Sequence, residues 1–291
     1  MPDDVPKPAP NLSYKLTPEP GQFEAVGYAP TLLQTTNGYV ALLDVLGFRG
    51  IVAADRDNSV IIKYLQTIQR VLADANVETI VFSDSIVLTR AGETSADLHG
   101  LVVVCSALMG TLLCENIAMR GAIAYGKFAR SQIRSSAFLA GSPIVEAYDY
   151  EQRQDWVGML LTPSALRQAA DVDFSKTCTT SLQGIDGFAH IGKELEWKAY
   201  LQRADVMFKG SHAHEGFAVV PHAAPSLPGL AKNLNEILER LEWLKLLAPS
   251  PSEQSKYINS MRWLRGLRDT WQSRATEYLD WEKKRHTGGS G

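Results

Sequence analysis

The pattern of apolar residues between positions 39 and 161 constrains the fold of this chain more than any other feature. Short apolar runs, typical of buried strands, alternate with stretches whose apolar residues recur every three or four positions, as in helices. The strand-like runs are 39–44, 78–89, 118–128 and 157–161, and the helix-like stretches are 58–72, 97–115 and 142–151. Since 78–89 divides into two halves around an acidic turn, the order is strand, helix, two strands, helix, strand. This order predicts an α+β domain with helices packed on one face of a mixed sheet, as in ferredoxin-like folds.

The segments on either side of this pattern differ from it in composition. Seven of the 14 prolines lie in the first 30 residues, which excludes a regular helix and predicts an extended N-terminal arm over 1–36. Pro221, Pro225 and Pro228 predict a linker that closes a domain over 37–222. Leucines at helical spacing after residue 233 and aromatic residues at helical spacing after residue 262 predict a helical extension over 223–291, packed on the core as a hairpin.

Charge and cysteine content exclude several classes of protein. The chain has 29 basic and 32 acidic residues, so no general positive charge favours nucleic acid as a partner. Three cysteines without a CxxC pair argue against a disulfide scaffold and fit a reducing compartment. The most apolar stretch, 101–114, is shorter than the roughly 20 residues that span a bilayer. No secretion signal is evident, and we predict a cytoplasmic protein without a membrane partner.

Two aspartates follow apolar runs and are the main candidates for chemistry. Asp44 ends the run YVALLD, and a glycine-containing turn follows it; Asp84 lies at the turn of the hairpin IVFSDSIVL. If the two strands are neighbours, both carboxylates converge at one end of the sheet. Paired carboxylates beside a turn with free amides are suited to magnesium ions and a bound polyphosphate. Each aspartate taken alone is more often a turn or capping residue.

Other motifs are absent or weak. The chain has no P-loop, no dinucleotide-binding glycine motif and no zinc-protease or nucleophile-elbow signature. His212, His214 and Glu215 resemble part of a metal site without a third ligand at a suitable spacing, and His190 is expected to be structural. A palm-type nucleotidyltransferase would share the two-aspartate chemistry, but it would carry further acids near the first aspartate and a basic template surface.

Four segments together resemble a class III nucleotidyl cyclase domain, and more closely the pyrimidine cyclases of bacterial Pycsar anti-phage systems. They are VALLDVLGF (40–48), IVFSDSIVL (80–88), MRGAIAYG (119–126), and AGSPIVEAYDYE (140–151) followed by WVGMLL. The resemblance covers about residues 37–200 and leaves out the N-terminal arm and the helical extension.

The resemblance implies a homodimer with composite active sites that converts a nucleoside triphosphate to its 3′,5′-cyclic monophosphate and pyrophosphate. It implies two Mg²⁺ or Mn²⁺ ions per site, held by Asp44, Asp84 and the carbonyl of Val45. The amides of Leu46, Gly47 and Phe48 would hold the triphosphate. The cyclic product would act as a second messenger in anti-phage defence, sensed by a separate effector that binds cyclic nucleotides.

Two departures from the family pattern concern the base. Where adenine-specific cyclases have a lysine, four positions before the second aspartate, this chain has Ile80. Where they have an acidic or small polar residue, three positions before Gly141, it has Phe138. Neither side chain can donate or accept a hydrogen bond. These positions argue against ATP and favour a pyrimidine, UTP or CTP, with UTP preferred.

Two further departures concern the transition state. The positions of the family's asparagine and arginine are occupied by Val145 and Asp149, and neither residue can replace them. Another cation would then have to serve, and the candidates near the site are Arg49, Arg120, Arg130 and Arg134. If none does, the alternative is a degenerate cyclase-like dimer that binds a nucleotide or a protein without turnover.

Overall fold

The computed structural model describes residues 34–133, 136–174, 200–210, 213–221 and 227–287. The strands are β1 (Gln34–Val45), β2 (Glu78–Phe82), β3 (Ser85–Ala91), β4 (Met119–Ile133), β5 (Ser136–Gly141), β6 (Gly158–Leu161), β7 (Leu201–Met207) and β8 (Ala213–Val219). The helices are α1 (Phe48–Ala54), α2 (Ser59–Leu72), α3 (Ser95–Cys114), α4 (Ser142–Arg153), α5 (Pro163–Gln168), α6 (Leu227–Leu247) and α7 (Pro251–Thr287). Every strand and helix predicted from the apolar pattern is present, whereas α1, α5, β5, β7 and β8 were not predicted.

One sheet organises the molecule. Its strand order is β2-β3-β1-β4-β6-β8-β7, and β5 pairs with the far half of β4. The first four strands pair antiparallel in the order 2-3-1-4, which is the ferredoxin-like arrangement of a β-α-β-β-α-β unit. β6 runs parallel to β4, so the sheet is mixed. The predicted α+β class and ferredoxin-like core are therefore confirmed.

Alternation along the central strand β1 divides the core into two layers. Tyr39, Ala41, Leu43 and Val45 belong to the main core, which α2 and α3 cover on the predicted face. Leu42 points to the opposite face, where it packs against Ala147 of α4. Helix α4 thus adds a second layer that the sequence pattern did not indicate. Because side chains alternate along a strand, Asp44 lies on the face of α4, next to Leu42.

Helix α3 is the central helix of the main core. It begins with a capping box in which Thr94 and Asp97 each accept a hydrogen bond from the other's backbone N–H. Within the described ranges it is the one helix long and apolar enough to cross a membrane, but 56% of its apolar window is buried against the rest of the protein. A core helix of this kind needs an apolar surface nearly all round.

Helices α6 and α7 form the predicted C-terminal helical hairpin. Leucines of α6 and residues of α7 pack together and onto Leu113, Ala118, Val157 and Val220, forming a second apolar core beside the first. Pro228, which we assigned to the linker, lies instead in the first turn of α6, where a missing backbone N–H costs no helical hydrogen bond. Of the arm predicted over 1–36, residues 1–33 lie outside the described residues, and residues 34–36 belong to β1.

Candidate functional site

The register of the sheet brings Asp44 and Asp84 together. Asp44 pairs with Ser85 of β3 on one side and with Arg120 of β4 on the other. Asp84 follows Ser83, which takes a positive φ of 57°, in the tight turn between β2 and β3. The backbone N–H of Val45 donates to the carbonyl oxygen of Asp84 at 2.9 Å, so Asp44 near the end of β1 lies beside Asp84 in the β2–β3 turn, at one end of the sheet. The expected convergence is therefore present.

A buried ion-pair network surrounds Asp44. The guanidinium of Arg120 lies 3.7 Å from the Asp44 carboxylate and contacts the carboxylate of Glu151 on α4, which is 1% exposed. Arg120 also donates to the carbonyl oxygen of Gln154 at 3.2 Å. Arg120 was predicted to contact substrate, but its position is that of a buried counter-ion between two carboxylates.

Negative charge is in excess at Asp44 despite this arginine. Burial and the neighbouring carboxylate of Glu151 raise the pKa of Asp44 from 3.8 to about 6, although the charge of Arg120 acts in the opposite direction. Asp84 contributes to the rise, whereas Lys256 of α7 lowers the pKa. A group of carboxylates whose charge is only partly balanced is suited to a cation.

The donor atoms fit a hard divalent ion. Asp44 and Asp84 supply carboxylate oxygens, which Mg²⁺ and Mn²⁺ prefer. Within the described ranges, no three His, Cys, Asp or Glu side chains are grouped so that they hold a metal by themselves. Magnesium usually binds through one or two carboxylates and completes its shell with water and substrate phosphates. A two-carboxylate site therefore fits an ion that arrives with a polyphosphate, as the sequence analysis expected.

The turn between β1 and α1 was predicted to hold the triphosphate through three amides. Gly47 adopts the left-handed conformation, with φ of 71°, that lets the chain leave β1 and enter α1. The amide of Leu46 is not free for a phosphate, because it donates to the carbonyl oxygen of Ala118 at 2.9 Å. The prediction is wrong for that amide. The ring of Phe48 packs 5.9 Å from that of Tyr64, and Arg49 is exposed.

The two residues assigned to the base lie at different distances from the aspartates. Ile80 lies on β2, four residues before Asp84, where it pairs with Val87 of β3 and is half-buried. Phe138 is 55% exposed on β5 and pairs with Ser131. Ser131 lies eleven positions beyond Arg120 along β4, which separates Phe138 from the aspartates by about 35 Å at 3.3 Å per residue. Within one chain, Phe138 is not part of the Asp44–Asp84 site.

The remaining candidates are scattered. Val145 and Asp149 are exposed on α4, and Arg130 forms an ion pair with Glu78. His214 contacts the ring of Phe208, and Glu215 forms an ion pair with Arg203, so neither is placed as a ligand among the described residues. Arg134, His190 and His212 lie outside the described residues.

Three residues near the aspartates were missed by the sequence analysis. Glu151 was assigned only to a helix, and nothing in its neighbourhood marks it as the buried partner of Arg120. Tyr64 of α2 is buried, and burial together with Asp84 and Asp44 raises the pKa of its phenol. Lys256 belongs to the helical extension, which the family resemblance does not cover. A long-range contact, and no local motif, brings each of these residues to the site.

Comparisons with known proteins found similar solved structures at low identity. The adenylyl cyclase CyaB of P. aeruginosa is 12% identical, with 67% of this chain and 98% of that chain covered and a TM-score of 0.47. The catalytic core of a rhodopsin–guanylyl cyclase with converted specificity, in complex with ATPαS, is 11% identical, with 66% and 100% covered and a TM-score of 0.44. A dimeric guanylyl cyclase domain from Blastocladiella emersonii is 10% identical, with 65% and 99% covered and a TM-score of 0.44.

A comparison with protein-family models found no match, and a comparison with curated proteins found no significant match. At these identities and TM-scores, the fold assignment depends on the strand order and register given above.

Proposed function

We propose that this protein is a nucleotide cyclase of the class III type. It would convert a pyrimidine nucleoside triphosphate, UTP in preference to CTP, to the 3′,5′-cyclic monophosphate and pyrophosphate. The observation that carries the proposal is the position of Asp44, near the end of β1, beside Asp84 in the β2–β3 turn, with unbalanced negative charge next to a turn that enters a helix. The four segments that resemble cyclases supply the reaction class, and the ferredoxin-like strand order is consistent with them.

In this proposal Asp44, Asp84 and the carbonyl of Val45 hold the divalent ions. The ions, when bound, neutralise the phosphates and lower the pKa of the ribose 3′-hydroxyl that attacks the α-phosphorus. Arg120 and Glu151 fix the Asp44 carboxylate in place, since the guanidinium contacts both acids in a buried setting. The turn at Gly47 orients the polyphosphate, so that pyrophosphate leaves in line with the attacking oxygen.

The position of Phe138 supports a homodimer with composite sites as part of this proposal. If this residue contacts the base, it must come from a second copy of the chain, since about 35 Å separates it from the aspartates of its own chain. Its exposure on β5, and that of Val145 and Tyr148 on α4, leaves these side chains accessible to such a copy. The apolar side chains of Ile80 and Phe138 cannot make the hydrogen bonds by which adenine-specific cyclases recognise their base, which argues against ATP and supports a pyrimidine substrate.

The experiment is a product screen. The purified chain is incubated separately with ATP, GTP, CTP and UTP in Mn²⁺ and in Mg²⁺, and the products are identified by mass spectrometry. We expect cyclic UMP or cyclic CMP from the unchanged protein and at least about a thousandfold less from Asp84→Asn, because removal of a metal ligand removes transition-state stabilisation. Asp74→Asn, which changes an exposed carboxylate in the turn after α2, is the matched control and should retain activity.

A cyclic purine product would contradict the pyrimidine assignment alone. Lack of a cyclic product from any of the four triphosphates, in conditions where a known cyclase is active, would contradict the enzyme proposal. The role in anti-phage defence rests on the resemblance alone. Its test is whether phage infection raises the cyclic nucleotide in cells that carry this gene but not in cells with Asp84→Asn.

One observation favours a second candidate, a cyclase-like dimer that binds a triphosphate without turnover. Val145 and Asp149 replace the family's transition-state pair, and Arg120 is already engaged by two carboxylates. Tight magnesium-dependent binding of a triphosphate without product would favour this candidate.

A further inference from the structure

A cavity of about 930 Å³ lies between the β1–α1 turn and the C-terminal helical hairpin. Gly47, Arg49 and Gly50 line it on the side of the turn, and Trp243, Leu247 and Lys256 line it on the side of the hairpin. Its volume is in the range of small-molecule sites. Leu46 and Gly47, which line it, follow Asp44 by two and three residues, so the cavity adjoins the turn beside the candidate metal site.

Buried hydrogen bonds fix the position of α7 at this cavity. The hydroxyl of Ser260, which is fully buried, accepts from the backbone N–H of Val157 at 2.7 Å and donates to the carbonyl oxygen of the same residue at 2.7 Å. The amide of Asn259 donates to the carbonyl oxygen of Asp155 at 2.9 Å. Lys256 lies one turn before Ser260, so these contacts fix the position of Lys256 along the helix axis and its rotation about that axis.

The charge of Lys256 is not balanced by an ion pair. Among the described residues no carboxylate lies within 4 Å of its ammonium group. The nearest acid in sequence, Glu253, is engaged at the start of α7, where its carboxylate accepts from the hydroxyl of Ser250 at 3.0 Å. Lys256 lines the same cavity as Leu46 and Gly47, the residues of the turn that follows Asp44. A half-buried lysine that lines a cavity beside the candidate metal site is suited to phosphate oxygens.

We propose that Lys256 binds the β- and γ-phosphates of the nucleoside triphosphate, so that the C-terminal helical hairpin forms one wall of the substrate site. This rests on the proposed binding of a triphosphate at Asp44 and Asp84. Arg49, on the opposite side of the cavity, is placed to contact the same phosphates. The hairpin is therefore part of the substrate site as well as a packing element.

The test uses the full chain and inorganic tripolyphosphate in saturating Mg²⁺, which makes the result independent of the base. Binding is measured by calorimetry for the unchanged protein and for Lys256→Met, Lys256→Arg and Arg262→Met. Arg262 is exposed on the same helix and does not line this cavity, so it is the matched control. We expect Lys256→Met to weaken binding about tenfold or more, since a charged hydrogen bond is lost. Lys256→Arg should restore most of the affinity, and Arg262→Met should have no effect.

A second measurement separates loss of a phosphate contact from a structural defect. Mn²⁺ affinity without polyphosphate, measured by electron paramagnetic resonance, should be unchanged or higher in Lys256→Met, because a nearby positive charge is removed. Equal tripolyphosphate affinity in Lys256→Met and the unchanged protein would overturn the proposal, as would a parallel loss of Mn²⁺ affinity. Lys256-dependent binding without any cyclic product would overturn the cyclase proposal and leave this one intact. Failure of the unchanged protein to bind tripolyphosphate would overturn this proposal. The cyclase proposal is tested separately, by whether a cyclic product forms from a nucleoside triphosphate.

Discussion

Asp44→Asn should make the metal-free protein more stable at pH 8, although it removes a proposed metal ligand. The pKa of Asp44 is raised from 3.8 to about 6 in the folded state, first by burial and then by Glu151. The unfolded chain therefore releases this proton at lower pH than the folded protein does. As pH rises from about 4 to about 6, the free energy of unfolding decreases, and above that range the full cost of ionised Asp44 is present.

The size of the effect follows from the pKa difference. About two pKa units correspond to at most about 3 kcal/mol at 1.36 kcal/mol per unit. The asparagine side chain of the variant carries no charge and avoids this cost, and Arg120 keeps two other partners, Glu151 and the carbonyl oxygen of Gln154. We expect the variant to be about 1–3 kcal/mol more stable than the unchanged protein at pH 8, which raises the midpoint of thermal unfolding by about 5 °C. Near pH 4 the two proteins should have equal stability.

The assay is thermal unfolding followed by circular dichroism, with a chelator present, at several values of pH between 4 and 8. Asp149→Asn, which changes an exposed carboxylate, serves as the control and should show no such dependence on pH. Mg²⁺ added together with tripolyphosphate should stabilise the unchanged protein more than Asp44→Asn. If Asp44→Asn is destabilised to the same extent at pH 4 and pH 8, the Asp44 carboxylate is a structural residue and the reasoning is wrong.

Three further substitutions test the packing that positions the site. Ser260→Ala should cost about 2 kcal/mol in urea unfolding, because the backbone N–H of Val157 loses its buried partner; a neutral result would mean that α7 is not anchored there. Thr94→Ala should lower the free energy of unfolding by about 1 kcal/mol through loss of the capping box with Asp97, and a loss confined to activity would contradict this. Gly121→Ala should lower the midpoint of thermal unfolding, since its new Cβ would lie 2.4 Å from a carbonyl oxygen of β1, an overpacking cost of about 1–3 kcal/mol. Unchanged stability would show that the two strands separate easily at this point.

The sequence predicts the central layer of this fold because local patterns determine it. The continuous apolar run of β1 and the helical spacing of α2 are read directly, and the acidic turn at Asp84 separates two β-rich halves. Once β1 and β3 are neighbours, the convergence of Asp44 and Asp84 follows from the register alone. These features depend on sequence neighbours and on the rules for short connections.

The rest depends on contacts between distant segments. Lys256 reaches the candidate site because Ser260 bonds to Val157, 103 residues earlier. The amide of Leu46 was expected to be free, but the end of β4 supplies its acceptor at Ala118. Phe138 was assigned to the base by its spacing from Gly141, and only the pairing of β5 with the far half of β4 reveals its distance from the aspartates. No local pattern encodes these pairings.

The central claim is that Asp44 and Asp84 together bind a divalent ion, and Mn²⁺ binding at pH 8 tests it most directly. Free Mn²⁺ is measured by electron paramagnetic resonance for the unchanged protein, Asp44→Asn, Asp84→Asn and the control Asp149→Asn, each with and without tripolyphosphate. The account predicts that each of the first two variants weakens Mn²⁺ binding at least about tenfold, since each removes a charged ligand, while Asp149→Asn binds normally. Equal Mn²⁺ affinity in all four proteins would contradict it.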